Sequence, residues 1–316
     1  MFSFAPHSDV RWENIRGEHQ VKQTITMKCC INSFLFLILP FQLLSQESKI
    51  YDSLSFKSTI LKKEEKFSIY LPSGYQTSLR SYPVVYLLHG GGGSYTDWIR
   101  KGDMQHTVDS GIQRGKIEAM IVVMPDAERT YYMNNINGKY QFEDFFMKEL
   151  IPYIEKNYRC RKEKTYRAVA GFSMGGYGSL LYSVHHPELF SACAAISAGI
   201  RTDEEIKKMP LEEFLLRYRT ALGELKEGDN RITEFWNQNS VLYLINRMPE
   251  EQKKAVRFYL DIGDDDTFYK GNSLLHIAMR DLNIPHEYRV RDGAHIWEYA
   301  RTGLADALSF ISESFH

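Results

Sequence analysis

The sequence predicts an α/β fold with a mostly parallel sheet covered by helices on both faces. Three observations carry that expectation. Apolar runs of strand length alternate with helix-length segments along most of the chain, the pattern of a sheet whose consecutive strands are joined by helices. The runs are continuously apolar, as in Pro83-Val-Val-Tyr-Leu-Leu-His89 and Tyr166-Arg-Ala-Val-Ala170, which marks strands buried on both faces. One run opens directly into Gly171-Phe-Ser-Met-Gly175, a strand–turn–helix signature with a serine at its apex.

Taken in order, strands are expected over 55–61 and 66–71, an antiparallel addition at one edge of the sheet. They are followed by 83–89, 119–125, 166–172, 190–197, 257–262 and 286–291. Helices are expected over 104–114, 142–157, 174–185, 203–222, 270–282 and 298–313. The run Lys62-Lys-Glu-Glu-Lys66 alternates in sign and reads as a solvated turn or strand edge. The stretch 199–256 is longer than a plain crossover, and its aromatics Phe214, Tyr218, Phe235, Trp236 and Tyr243 read as core packing or as a partial cap.

The chemistry begins at Ser173. Glycines on either side relieve a steric problem, because the serine backbone is strained where strand and helix nearly touch. A chance Gly-x-Ser-x-Gly occurs in about one in ten chains this long, so the surroundings decide. Upstream, the strand ending at His89 runs into Gly90-Gly-Gly-Gly93. A glycine loop there lets backbone N–H groups approach a tetrahedral oxyanion, each donor lowering the barrier by roughly 3 kcal/mol. The expected donors are the N–H groups of Gly91 and Met174. The acid and the histidine should follow the serine in chain order. Asp261, Asp264, Asp265 and Asp266 cluster at the end of a late strand, and composition alone does not choose among them. His295 lies between the last strand and the last helix, within reach of a serine at the sheet edge. His89 adjoins the same edge and is expected to shape the glycine loop. Asp97, Trp98, Asp126, Tyr131 and Tyr132 fall in loops at the strands' carboxyl ends, where such sheets bind ligands. They are the expected substrate contacts.

From about Leu54 to Phe315 the chain resembles the esterase family of α/β-hydrolases. That family takes in feruloyl and acetylxylan esterases, tributyrin esterases, S-formylglutathione hydrolases and mycolyl transferases. The resemblance rests on Leu88-His-Gly-Gly-Gly-Gly-Ser94 with Asp97-Trp98, Met124-Pro-Asp126, Glu149-Leu-Ile-Pro-Tyr-Ile154 with Tyr158, Ala170-Gly-Phe-Ser-Met-Gly-Gly176, Asp261-x-Gly-x-x-Asp266 and Gly293-x-His295-x-Trp297. It implies an α/β-hydrolase fold and a serine esterase with a Ser173–His295–Asp266 triad, Asp265 being second choice for the acid. Ala294 stands where the family often has glycine. It implies an ester substrate of small-molecule or oligosaccharide type, with a short-chain or hydroxycinnamoyl acyl group. An acyltransferase would carry the same triad, and a non-catalytic binding protein could keep the fold.

Other features bound the rest. Lys and Arg total 39 against 40 Asp and Glu, and the basic residues are dispersed along the chain; no nucleic-acid partner is expected. No cofactor or metal is expected, since Cys and His show no ligand spacing. Met27-Lys28 followed by Phe34-Leu-Phe-Leu-Ile-Leu-Pro-Phe41 reads as a signal peptide over 27–46, and hence a periplasmic or secreted protein. The apolar stretch is too short for a stable membrane anchor. Residues 1–26 read as a disordered upstream extension, with translation starting at Met27, and 50–316 as the esterase domain. Cys160 and Cys193 would remain, paired or free.

Overall fold

The computed structural model describes residues 47–316; the expected extension 1–26 and signal peptide 27–46 lie outside them. Eight strands, β1 (Lys49–Lys57), β2 (Glu64–Leu71), β3 (Val84–Leu88), β4 (Ile121–Pro125), β5 (Arg167–Phe172), β6 (Ala192–Ile196), β7 (Arg257–Gly263) and β8 (His286–Arg291), form one sheet in the order β1-β2-β4-β3-β5-β6-β7-β8. β1 pairs antiparallel with β2 and β2 antiparallel with β4, while every other pairing is parallel. The expected antiparallel edge is therefore present. The helices are α1 (Asp97–Arg100), α2 (Met104–Gln113), α3 (Phe142–Phe145), α4 (Ile151–Asn157), α5 (Met174–His185), α6 (Asp203–Lys208), α7 (Leu211–Leu222), α8 (Glu234–Asn239), α9 (Val241–Ile245), α10 (Tyr269–Asp281) and α11 (Trp297–Glu313).

Every residue of β3, β4, β5 and β6 is buried, which is why these strands read as unbroken apolar runs. The pleat divides them between two cores. Val84, Tyr86 and Leu88 pack on one face with Leu180 and Leu181 of α5 and Leu275 of α10. Val85 and Leu87 pack on the other with Val108 of α2 and Leu304 and Leu308 of α11.

Three expectations need correction. The first strand is Lys49–Lys57 rather than 55–61. Residues 58–60 turn away because the Glu149 carboxylate accepts hydrogen bonds from the Ser58 and Thr59 hydroxyls and from the Thr59 and Ile60 N–H groups. The expected helix 203–222 is two helices, broken at Met209-Pro210, where Pro210 cannot donate to a preceding carbonyl. The expected helix 142–157 is interrupted by a π-helical stretch, Phe146–Leu150. It ends where Pro152 enters α4, and the wider turn removes the clash of a proline ring with the carbonyl four residues back. In the charge run, Glu65 is buried and paired with Lys63 at 3.1 Å, and Lys63 also reaches Glu128 at 2.6 Å. The run is a turn leading into the start of β2, with Lys62, Glu64 and Lys66 exposed as expected and Glu65 the one residue drawn inside.

Candidate active site

The carboxyl ends of β3, β4, β5, β6 and β7 converge on Ser173. This serine sits between β5 and α5 at φ 59° and ψ −118°, a conformation that strains any side-chain-bearing residue. The flanking glycines have a steric cause. A Cβ on Gly171 would lie 2.4 Å from the Gly175 carbonyl carbon, and one on Gly175 would lie 2.2 Å from the Leu88 oxygen. The turn is clamped by Ser173 N–H donating to the Ile196 carbonyl at 3.0 Å and Gly199 N–H donating to the Ser173 carbonyl at 2.8 Å.

His295 Nε2 lies 2.8 Å from Ser173 Oγ, and its Nδ1 lies 2.8 Å from Asp266 Oδ2. Asp266 is 1% exposed, and its second oxygen accepts from the Phe268 N–H at 2.8 Å. The imidazole is held flat by Phe172, stacked at 4.9 Å and 25°, and edge-on by Phe268 at 4.8 Å. The two loops that carry the acid and the histidine are laced together. Asp264 N–H donates to the Arg291 carbonyl, Asp265 N–H to the Gly293 carbonyl, and Gly293 N–H to the Asp264 carboxylate at 2.9 Å. Asp261, the other carboxylate of the cluster, is buried under these loops, where it accepts from Arg291, Tyr259 and Tyr299.

Gly91 and Met174 line the same cleft as Ser173 and His295. Met174 is the first residue of α5, so its N–H has no acceptor within the helix. His89 lies behind the glycine loop, 1% exposed. Its Nδ1–H donates to the Gly90 carbonyl at 2.8 Å and its Nε2 accepts from Ala127 N–H at 2.9 Å. The bond accepted at Nε2 requires the neutral ring, and burial lowers its pKa to match.

Of the five expected substrate contacts, Tyr131 alone lines the cleft. Trp98 is a buried strut: its indole N–H donates to the Leu88 carbonyl at 2.9 Å and its ring meets Trp297 edge-on. Asp97 is buried beside the glycine loop and paired with Lys101 at 3.0 Å. Tyr132 is fully buried and donates to the His89 carbonyl at 2.9 Å. Asp126 accepts from Glu128 N–H and stands 3.8 Å from His89. Being near the sheet edge is not enough, because in this loop-rich region most large side chains turn inward to build the loops. The cleft encloses about 230 Å³. It gains Arg129, Arg201, Arg217, Thr267 and Phe268, which the sequence reading missed. Phe268 had a usable signal, an aromatic two residues past the acid. The arginines had little, for they stand on three separate segments.

A family model described as "Putative esterase" matches residues 58–311. The endo-1,4-beta-xylanase/feruloyl esterase of Xylanibacter ruminicola is 36% identical over 189 residues, covering 57% of this chain and 26% of that protein. An esterase of Mycobacterium tuberculosis is 36% identical over 261 residues, covering 77% of this chain and 55% of that one. The chain thus spans about a quarter and about half of these curated relatives. Among solved structures, a ferulic acid esterase superposes with a TM-score of 0.74 at 29% identity, covering 86% of this chain and all of its own. An S-formylglutathione hydrolase from Agrobacterium tumefaciens shares the fold with a TM-score of 0.67 at 20% identity, covering 85% of this chain and 95% of that one.

Proposed function

The chain belongs to this esterase family and has its α/β-hydrolase fold, and from that premise we propose that it cleaves carboxylic esters through an acyl-enzyme on Ser173. The observation that carries the reading is the line from Ser173 Oγ to His295 Nε2 to His295 Nδ1 to Asp266, each contact 2.8 Å, at a strained strand-to-helix turn. In this mechanism His295 Nε2 takes the Ser173 proton as Oγ bonds the ester carbonyl carbon. The oxyanion that forms is met by the Gly91 and Met174 N–H groups. Collapse breaks the bond to the alcohol oxygen, which leaves with the proton from His295. Water then attacks the acyl-enzyme, giving its proton to His295, and the acid departs as Ser173 is reprotonated. Asp266 holds the imidazole in the tautomer with Nδ1 protonated and stabilises the cation that forms.

The proposed substrate has a short or hydroxycinnamoyl acyl group and a carbohydrate alcohol. A cleft of about 230 Å³ with Tyr131 and Phe268 in its wall supports this, being smaller than the roughly 300–1,000 Å³ usual for ligand sites. The relatives named for feruloyl ester cleavage add to it. We also propose export directed by residues 27–46, on their basic start and apolar stretch.

The test is a 4-nitrophenyl ester series from acetate to palmitate, run beside methyl ferulate and acetylated xylan. Acetate to butyrate, or ferulate, should be the best substrates, and Ser173→Ala should lose at least about 10³-fold in kcat with its melting curve intact. A rise in kcat/KM through palmitate would contradict the substrate reading. Activity retained by pure Ser173→Ala protein would contradict the acyl-enzyme.

A further inference from the structure

Three guanidinium groups from different elements face the cleft that holds Ser173 and His295. Arg129 comes from the loop after β4, Arg201 from the loop after β6 and Arg217 from α7. No Asp or Glu is among the described residues that line this cleft. Carboxylates near these three groups are few. Glu213 alone serves two of them, 2.9 Å from Arg217 Nε and 3.8 Å from Arg201 Nη2. The Nε of Arg201 is buried without a hydrogen-bond partner, and its guanidinium lies 4.8 Å over the Phe268 ring. Arg129 forms no ion pair or hydrogen bond among the described residues. It lies against the glycine loop, close enough that a Cβ on Gly92 would come within 2.5 Å of its Nη2.

Three cationic groups sharing the single carboxylate of Glu213 beside a partly desolvated cleft repel one another, and a buried polar N–H left unpaired is costly. A bound anion in the cleft relieves that repulsion. Guanidinium forks match the planar or tetrahedral oxygens of carboxylate, phosphate or sulfate. A wholly neutral ester, such as a simple acetylated sugar, gives these groups nothing to pair with.

We propose that the ester cleaved at this site carries an anionic group next to the scissile bond, held by Arg129, Arg201 and Arg217. Acylated uronic acids and acylated sugar phosphates or sulfates are substrates of this class. The inference rests on the esterase reading of Ser173 and names the substrate of that same site.

The test compares acetyl esters of one methyl glycoside in four forms: neutral, 6-carboxylate, 6-phosphate and 6-sulfate. At low salt at least one charged form should exceed the neutral one in kcat/KM by about tenfold or more, the worth of one charge-assisted contact. That advantage should shrink as salt rises, and the preferred form identifies the anion. Arg129→Gln, Arg201→Gln and Arg201→Lys are compared by the charged-to-neutral ratio, which cancels any general loss of activity. The ratio should fall severalfold in both glutamine variants, and less in Arg201→Lys, which also guards against misfolding at that position. A wild-type ratio at or below one for all three anions would overturn the proposal, as would a ratio unchanged in both Arg129→Gln and Arg201→Gln. Calorimetric titration of Ser173→Ala protein with the unacetylated glycosides separates the two readings. Tighter binding of a charged glycoside supports the anion site even if no ester turns over, an outcome that would overturn only the esterase reading. Equal binding of charged and neutral glycosides counts against the anion site even if esters are cleaved.

Discussion

Asp265 and Asp266 are neighbours with opposite surroundings. Asp265 is exposed, whereas both oxygens of buried Asp266 are engaged, one by His295 and one by Phe268 N–H. Asp266→Asn is therefore expected to lower kcat by up to about 10⁴-fold, and Asp265→Asn by less than about tenfold. Steady-state kinetics on one ester would show whether that order is reversed. His89 carries a second expectation at this scale. Its pKa is lowered from 6.5 by burial, against the opposing pull of Asp126 3.8 Å away. The folded state thus binds its proton less readily than the unfolded chain. The stability it contributes is complete above pH 6.5 and drains away as pH falls below that value. Urea midpoints measured downward from pH 7 should fall less steeply in His89→Gln than in the wild type. Single residues also mark where the sequence was opaque. Trp98 and Tyr132 announce themselves as aromatics at a ligand edge, but whether such a ring faces in or out depends on contacts with Leu88 and His89 from other segments.

Elements were legible where burial is uniform. β3 through β7 lie inside the sheet, so hydrophobic demand fixes their composition and their limits fall within two residues of expectation. β1 is mostly exposed along its length, so its sequence need only tolerate pairing with β2. Its end is set by Glu149, far away in the chain. The break at Pro210 is harder to see, since a long periodic segment masks a one-residue interruption. The serine turn illustrates the reverse case, an element whose every glycine has an identifiable neighbour. Gly175→Ala would drive a Cβ to 2.2 Å from the Leu88 oxygen. Overpacking of this kind costs typically 1–3 kcal/mol, so the melting temperature should drop by roughly 2–6 °C for a domain of this size. An unchanged Tm in scanning calorimetry would mean that the turn has slack which its contacts do not suggest.

Across the whole molecule, Cys160 and Cys193 are free and buried, and burial pushes both thiols up to about 12. Thiol reagents at neutral pH should label neither until the chain unfolds, and reducing agent should leave the denaturation midpoint where it was. Rapid labelling mapped to Cys160 or Cys193 in native protein would contradict this packing. The parallel sheet with its helical layers was foreseeable from alternation alone. The positive cleft was not, because dispersal of Arg129, Arg201 and Arg217 along the chain hides a cluster that only the crossovers assemble. The laced loops after β7 and β8 have a further consequence, for the history of the gene. A Cβ on Gly263 would strike the Gly293 carbonyl at 2.0 Å, and three main-chain donors stitch the two loops in register. Inserting or deleting one residue in either loop shifts Asp266 against His295 unless the other loop changes to match. The two loops should therefore drift as a matched pair. In recombination between related genes, a crossover falling between them would yield folded but inactive progeny, while one on either side of both would be tolerated.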